Sequence, residues 1–121
     1  MRIYNDVIFI FGNHEYYGSN YDNIHTILGV LNYNYSNFHW LNNTDCVIGG
    51  VKIFGSTLWF RDDPFNQYYE DYLNDFKSIQ DFKFWIYGEN RKAIAYLNNT
   101  PIEDSIVVTH HLPSIHSVDS A

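Results

Sequence analysis

Two short polar segments carry side chains that could bind a divalent metal ion and act on a phosphate group. Residues 12–15 read Gly-Asn-His-Glu, and residues 109–111 read Thr-His-His. The amide oxygen of Asn13 and the neutral imidazole of His110 are ligands that first-row dications accept. His14 could contact a phosphoryl oxygen or protonate a leaving alkoxide, a proton transfer worth about 10²–10⁴ in rate. Glu15 could orient that imidazole.

Each polar segment follows an apolar run that predicts a strand. Residues 7–11 and 105–109 are short, continuous and rich in β-branched or aromatic side chains, which is typical of strands buried on both faces of a sheet. Ligands of open α/β sheets collect beyond the carboxyl ends of the strands. If the two strands are parallel neighbours, Asn13, His14 and His110 converge on one point.

The remaining pattern alternates strands and helices, which favours an α/β layered fold. Gly49-Gly50 supplies the positive φ angles of a two-residue hairpin turn between predicted strands at 46–48 and 51–59. Apolar side chains at helical spacing predict an amphipathic helix from Tyr21 to about Tyr33, with Asp22 as a candidate cap. A short strand at 38–41, a helix at 68–76 and a helix at 89–98 complete the prediction.

Length and composition limit the class of protein. The 121 residues suit a single domain, and 45% hydrophobic content can fill a core. A net charge of −7 argues against a nucleic-acid surface, which needs clustered Lys and Arg. Cys46 is the single cysteine, so neither an intrachain disulfide nor a Cys-based zinc site is expected. No run is long enough to span a membrane or resembles a signal peptide, so a cytoplasmic location is the expectation.

Three segments in order resemble the calcineurin-like metallophosphoesterases. Residues 7–17 are similar to that family's strand and Gly-Asn-His-Glu/Asp loop, and residues 107–114 to its strand and Thr-His-x-Pro loop. Between them, residues 53–59 resemble a Gly-x-x-Leu-Trp strand of one bacterial-type branch. The resemblance covers essentially the whole chain and implies a layered β-sheet core flanked by helices.

The resemblance also implies a metal-dependent phosphoesterase that hydrolyses phosphomonoesters or phosphodiesters. Asn13 and His110 match two ligands of the family's second metal, and His14 matches the histidine that contacts the phosphoryl group and assists the leaving group. The complete family site is a dinuclear centre of Mn, Fe, Zn or Ni. It polarises the phosphoryl oxygens and lowers the pKa of a bridging water, which attacks in line.

The chain departs from the family pattern at the other metal ligands. The family's Asp-x-His and Gly-Asp motifs precede the Asn-His loop, but Asp6 is the sole acid before Asn13. The Gly-His-x-His motif expected after the Thr-His loop is also missing from the 121 residues. We therefore expect an incomplete domain over residues 1–121, which binds metal and hydrolyses esters poorly alone. An uncovered sheet would favour self-association or a complementing chain.

Alternative interpretations stay open at this point. The chain could be a non-catalytic remnant or interaction module that keeps the scaffold, or one part of a split enzyme. Arg61 could bind a substrate phosphate bidentately, or pair with the neighbouring Asp62 or Asp63. The aromatic residues between Trp59 and Tyr87 could line a cleft or fill the core. The zincin pattern His-Glu-x-x-His fails because position 18 is Gly. The sequence does not indicate which phosphoester is the substrate.

Overall fold

The computed structural model of the chain describes residues 3–117 and confirms the α/β class. A strand, a helix, three strands, three helices and a last strand follow one another along the described residues, and short 3-10 turns follow two of the strands. The strands are β1 (Val7–Phe9), β2 (Phe38–Trp40), β3 (Thr44–Ile48), β4 (Val51–Ser56) and β5 (Ile106–Thr109), the helices are α1 (Tyr21–Asn34), α2 (Pro64–Tyr69), α3 (Asn74–Ser78) and α4 (Phe82–Asn99), and the 3-10 turns are His14–Tyr16 and Ile115–Ser117.

The strands form two small sheets. In the first, β1 pairs in parallel with β2, and α1 connects them. In the second, β4 lies between antiparallel β3 and parallel β5. The predicted hairpin is confirmed, since Gly49 and Gly50 adopt φ angles of +58° and +79°. The condition considered for the strands before the two polar segments, that they are parallel neighbours, is not met, because β1 and β5 belong to different sheets.

The two sheets contact each other at Gly55 of β4. A Cβ atom there would stand 2.9 Å from Ile10 Cγ2 and still closer to Leu41 Cβ. Leu41 extends β2, and its backbone N–H donates to Phe9 O at 2.9 Å. Glycine is therefore required at position 55, because the backbone of the second sheet touches side chains of the first.

The helices agree with the sequence pattern only in part. α1 forms as predicted, but Asn20 rather than Asp22 caps it, accepting from Asn23 N at 2.9 Å. The helix predicted at 68–76 is two helices, because the chain turns between α2 and α3. α4 begins at Phe82 rather than near residue 89. Its first two turns bury Phe82 and Ile86, so core packing outweighs the poor helix propensity of an aromatic run.

The core lies between α1, α4 and the loops that follow the strands. Many of its side chains are aromatic, and their rings meet edge-to-face or tilted, as Phe82 does with Trp59 and Trp85. The aromatic region predicted to be core or cleft is divided: some rings are buried, whereas those of α2 are exposed. The buried cluster consists of Phe11, Tyr16, Leu28, Trp59, Ile79, Phe82, Ile86 and Tyr87.

The strands that precede the polar segments are less buried than predicted. β1 is half-buried along its length. In β5, Ile106 and Val107 are 52% and 41% exposed. The prediction that both strands are buried on both faces is therefore wrong for this chain, because no further layer covers them within residues 3–117. No helix in that described range is both long and apolar enough to cross a lipid bilayer.

Candidate metal centre

The loops that follow β1 and β5 meet, and they bring Asn13 and His110 together. Asn13 Oδ1 lies 3.1 Å from His110 Nε2, across 97 positions of the sequence. The backbone at Gly12 makes this approach possible, since a Cβ atom there would stand 2.8 Å from His110 Cε1. Of the three residues expected to converge if the strands were parallel neighbours, Asn13 and His110 are in contact although the two strands do not pair, whereas the His14 ring packs on Tyr17.

Asp75 of α3 orients the Asn13 amide. Its Oδ1 accepts hydrogen bonds from Asn13 Nδ2 at 2.9 Å and from the Tyr17 hydroxyl at 2.5 Å. Because a carboxylate only accepts, the Asn13 NH₂ group must face Asp75, and the amide oxygen is left to face His110. Asp75 is only 8% exposed, so water competes little for these bonds.

Nothing in the sequence marks Asp75 as part of the site. The residue lies in the segment predicted as one helix, beside the inward-facing Phe76, and its sequence neighbours carry no recognisable motif. The sequence shows only an acidic residue among aromatic residues. That pattern does not distinguish a buried carboxylate that accepts hydrogen bonds from a carboxylate in solvent. The contact joins positions 62 apart, so local pattern cannot reveal it.

The geometry of Asn13 and His110 fits two ligands of one metal ion. Ligand atoms bound at about 2.1 Å and at right angles stand about 3.0 Å apart, close to the observed 3.1 Å. An amide oxygen only accepts hydrogen bonds, so the His110 Nε2 that faces it carries the ring proton. Metal binding through Nε2 requires the other tautomer of His110, with the proton on Nδ1. His110 is exposed, which leaves the position open to further ligands.

Asn13 and His110 supply too few ligands for a complete metal site, and neither ligand carries a negative charge. Across residues 3–117, no group of three or more His, Cys, Asp or Glu side chains is arranged to hold a metal ion. Asp75 Oδ1 already accepts two hydrogen bonds, from Asn13 and Tyr17. A catalytic zinc site normally has three protein ligands, so the two side chains supply part of a coordination shell.

His14 stands at the start of the 3-10 turn and is exposed. Its ring stacks on Tyr17, with centroids 4.5 Å apart and planes 28° apart. The hydrogen bond to Asp75 is the main cause that raises the pKa of Tyr17 to about 12. Through Tyr17 and Asp75, the position of His14 is coupled to that of Asn13.

Glu15 has a different partner from the one the sequence suggested. Its Oε2 accepts a hydrogen bond from the Gly12 backbone N–H at 2.6 Å. The Glu15 carboxylate therefore binds the backbone of its own loop and joins its two ends, on either side of Asn13 and His14. The structure gives it a role in holding the loop backbone, whereas the sequence suggested that it orients the imidazole.

His111 and Arg61 lie beside this cluster. The His111 ring packs near Trp59 and Phe60, with centroids 5.0 and 5.9 Å away. Burial, and then the neighbouring His110, lower the pKa of His111 to about 4, so it is neutral at pH 7. Arg61 donates through Nε to Asp63 Oδ2 at 2.8 Å. It belongs to a neighbouring cavity rather than to the Asn13–His110 cluster.

Comparison with known proteins leaves the family of this chain unassigned. No protein-family model matches it, and no solved structure matches it. It is 26% identical, over 133 aligned residues, to the uncharacterized protein L509 of Acanthamoeba polyphaga mimivirus. The match covers 92% of this chain and 46% of the viral protein, so the chain spans about half the length of that relative.

Proposed function

We propose that this chain carries part of the active site of a metal-dependent phosphoesterase of the calcineurin-like type. Asn13 and His110 hold one divalent ion, and His14 contacts the phosphoryl group of a phosphomonoester or phosphodiester. The observation that carries the proposal is the 3.1 Å approach of two ligand atoms from loops 97 positions apart. The contact between the two sheets at Gly55 is compatible with the layered core of that class.

The residues of the chain have distinct tasks in this proposal. A divalent ion, when bound, supplies Lewis-acid polarisation of the phosphoryl oxygen and a more acidic water. Asp75 holds the Asn13 oxygen toward His110, where the ion would bind, through the 2.9 Å bond from Nδ2. His14, which is exposed in the same loop as Asn13, donates a proton to the leaving alkoxide. Tyr17 keeps the His14 ring in place by stacking.

The remaining ligands must come from elsewhere. Two neutral side chains do not balance the charge of a dinuclear centre, and such centres use carboxylates as well. A segment or second chain that supplies carboxylates beside His110 would complete the site. The exposed His110 and the half-buried β1 offer it an accessible position.

Calorimetric titration with Mn²⁺, Zn²⁺ and Ni²⁺ tests the metal site directly. We expect weak binding by the chain that both Asn13→Ala and His110→Ala abolish. His39→Ala is the matched control, because His39 is bonded to Asp6 at 2.8 Å, outside this cluster. The proposal fails if none of the three ions binds, or if all three variants bind as the unchanged chain does.

A second candidate is a non-catalytic interaction module. The exposure of Ile106 and Val107 on β5, which pairs only with β4 within the described residues, favours it. It predicts a stable oligomer or complex through β5, and no metal-dependent turnover. Sedimentation should show that Ile106→Lys reduces association. Phe84→Lys, which changes an exposed residue of α4, should leave association intact.

A further inference from the structure

A cavity of about 640 Å³ lies next to the candidate metal centre. Its wall combines the loop after β4, one side of α4 and the loop after β5. The volume is in the range of sites for small organic ligands. The lining residues that matter here are Leu58, Phe60, Arg61, Arg91, Ile94 and Leu112.

The cavity and the metal centre share the loop after β5. His110 belongs to the centre and His111 lines the cavity, and their ring centroids are 4.8 Å apart. The His111 backbone N–H donates to Thr57 O at 3.1 Å, which fixes the loop against the end of β4. A substrate with its phosphoryl group at His110 would therefore extend its organic group past His111 into the cavity.

The charge of the cavity is opposite to that of the chain. Two arginines line it and no Asp or Glu does, although the chain has 14 acids and seven Lys and Arg. Arg61 is partly neutralised by Asp63. The Arg91 side chain has neither an ion pair nor a hydrogen bond within residues 3–117, so its guanidinium is free to bind an anion.

The cavity wall also contains apolar side chains. Ile94 and Leu112 are 44% and 63% exposed, and Phe60 is half-buried. Exposed apolar side chains grouped in a concave site indicate a ligand with an apolar surface. An arginine beside apolar groups suits a ligand that is both apolar and anionic.

The wall is held in place before any ligand enters. Leu58 is buried in a left-handed conformation with φ of +53°, which a non-glycine residue rarely adopts. Ser56 Oγ accepts from Leu58 N at 3.0 Å and donates to Asn43 Oδ1 at 2.8 Å. The Asn90 side chain donates to Trp59 O, which joins α4 to this loop. Such strain, retained by its surroundings, is frequent at ligand sites.

We propose that this cavity binds the organic group of the substrate, and that this group is aromatic or otherwise apolar and carries a further negative charge. The apolar part lies against Phe60, Ile94 and Leu112, and Arg91 contacts the further anionic group. The substrate class is thus a small phosphoester whose organic group is aromatic or otherwise apolar and carries a second anionic group. This assignment rests on the proposed phosphoesterase function.

Binding of 1-naphthyl phosphate in EDTA tests the cavity without metal or turnover. The phosphate of this probe takes the place of the further anionic group. Calorimetry should show binding of 1-naphthyl phosphate, but not of 1-naphthol or inorganic phosphate. We expect Arg91→Gln and Leu112→Ser each to weaken it about tenfold. Lys52→Gln, which removes one positive charge outside the cavity lining, should not weaken it.

The inference is overturned if naphthyl phosphate does not bind, if inorganic phosphate binds equally well, or if Arg91→Gln behaves as Lys52→Gln does. Titration of the same variants with Mn²⁺ separates the two proposals, since Arg91→Gln should bind Mn²⁺ as the unchanged chain does. Normal Mn²⁺ binding without naphthyl phosphate binding rejects the cavity and keeps the metal site. Probe binding without binding of any metal ion rejects the phosphoester assignment and leaves a site for organic anions.

Discussion

Asn13 Oδ1 and His110 Nε2 stand 3.1 Å apart at the ends of two strands that belong to different sheets. Neither loop places its side chain alone. Asp75 turns the Asn13 amide, and the absence of a side chain at Gly12 lets the His110 ring approach. The proposed metal site and its surroundings depend on these contacts, and each can be tested by substitution.

Asp75 should act as a positioning residue for the metal site. Asp75→Ala leaves the Asn13 amide free to rotate, and metal affinity should fall about 10–100-fold, as for other residues that orient ligands. Asp71→Ala is the control, because Asp71 is exposed and close by in sequence. Calorimetry with Mn²⁺ measures the change, and circular dichroism checks the fold. Equal Mn²⁺ affinity in both variants would show that Asp75 does not orient the ligand.

His14 should matter for turnover and not for metal affinity. His14→Ala removes the proton donor and the phosphoryl contact, so hydrolysis of an alkyl phosphate, whose alkoxide leaving group needs a proton, should fall about 10²–10⁴-fold. The Mn²⁺ affinity should stay unchanged, because Asn13 and His110 supply the ligands. His116→Ala, an exposed histidine of the second 3-10 turn, is the control. Turnover of the unchanged chain no higher than that of His14→Ala would favour the interaction module.

Two glycine substitutions should change stability in opposite directions. Gly55→Ala places a Cβ atom against Ile10 and Leu41, so the free energy of unfolding should fall by about 1–3 kcal/mol or more. Gly29→Ala, within α1 and with no atom within 4 Å of the new Cβ, should raise it by about 0.5–1 kcal/mol. Urea denaturation measures both. A Gly55→Ala protein as stable as the parent would disprove the tight contact between the sheets.

Stability should fall as the pH decreases below about 6.5, and His25 should contribute to the loss. His25 stacks on Tyr21 and bonds the Tyr16 hydroxyl at 2.8 Å. Burial is the main cause that lowers its pKa; Glu89 and Asp22 act in the opposite direction. Because the folded pKa is below the unfolded one, the unfolded chain binds the proton more readily. The stabilisation is therefore present above about 6.5 and is lost as the pH falls toward the folded pKa.

His25→Phe tests this contribution, since it keeps an aromatic ring at the position and removes the titration. The loss of melting temperature between about pH 8 and about pH 5.5 should be smaller in His25→Phe than in the unchanged chain. His116→Gln, which removes an exposed histidine, should lose as much as the unchanged chain. An equal loss in all three proteins would exclude His25 as a source of the pH dependence.

The sequence by itself determined the features that depend on neighbouring residues. Gly49-Gly50 specifies the hairpin turn, because few other residues adopt two successive positive φ angles. The periodicity of α1 and the apolar runs of β1 and β5 marked those elements, and Asn13, His14 and His110 stood out as polar residues directly after strands. These features depend on residues that are neighbours in sequence, and the folded chain contains each of them.

Tertiary structure alone decided the features that depend on distant contacts. The pairing of β1 with β2 and of β5 with β4 placed the two strands in different sheets. Packing of Phe82 and Ile86 in the core moved the start of α4, and the 62-position contact of Asp75 with Asn13 joined α3 to the site. Each outcome results from burial and hydrogen bonding between residues far apart in sequence, whose free energy no local pattern contains.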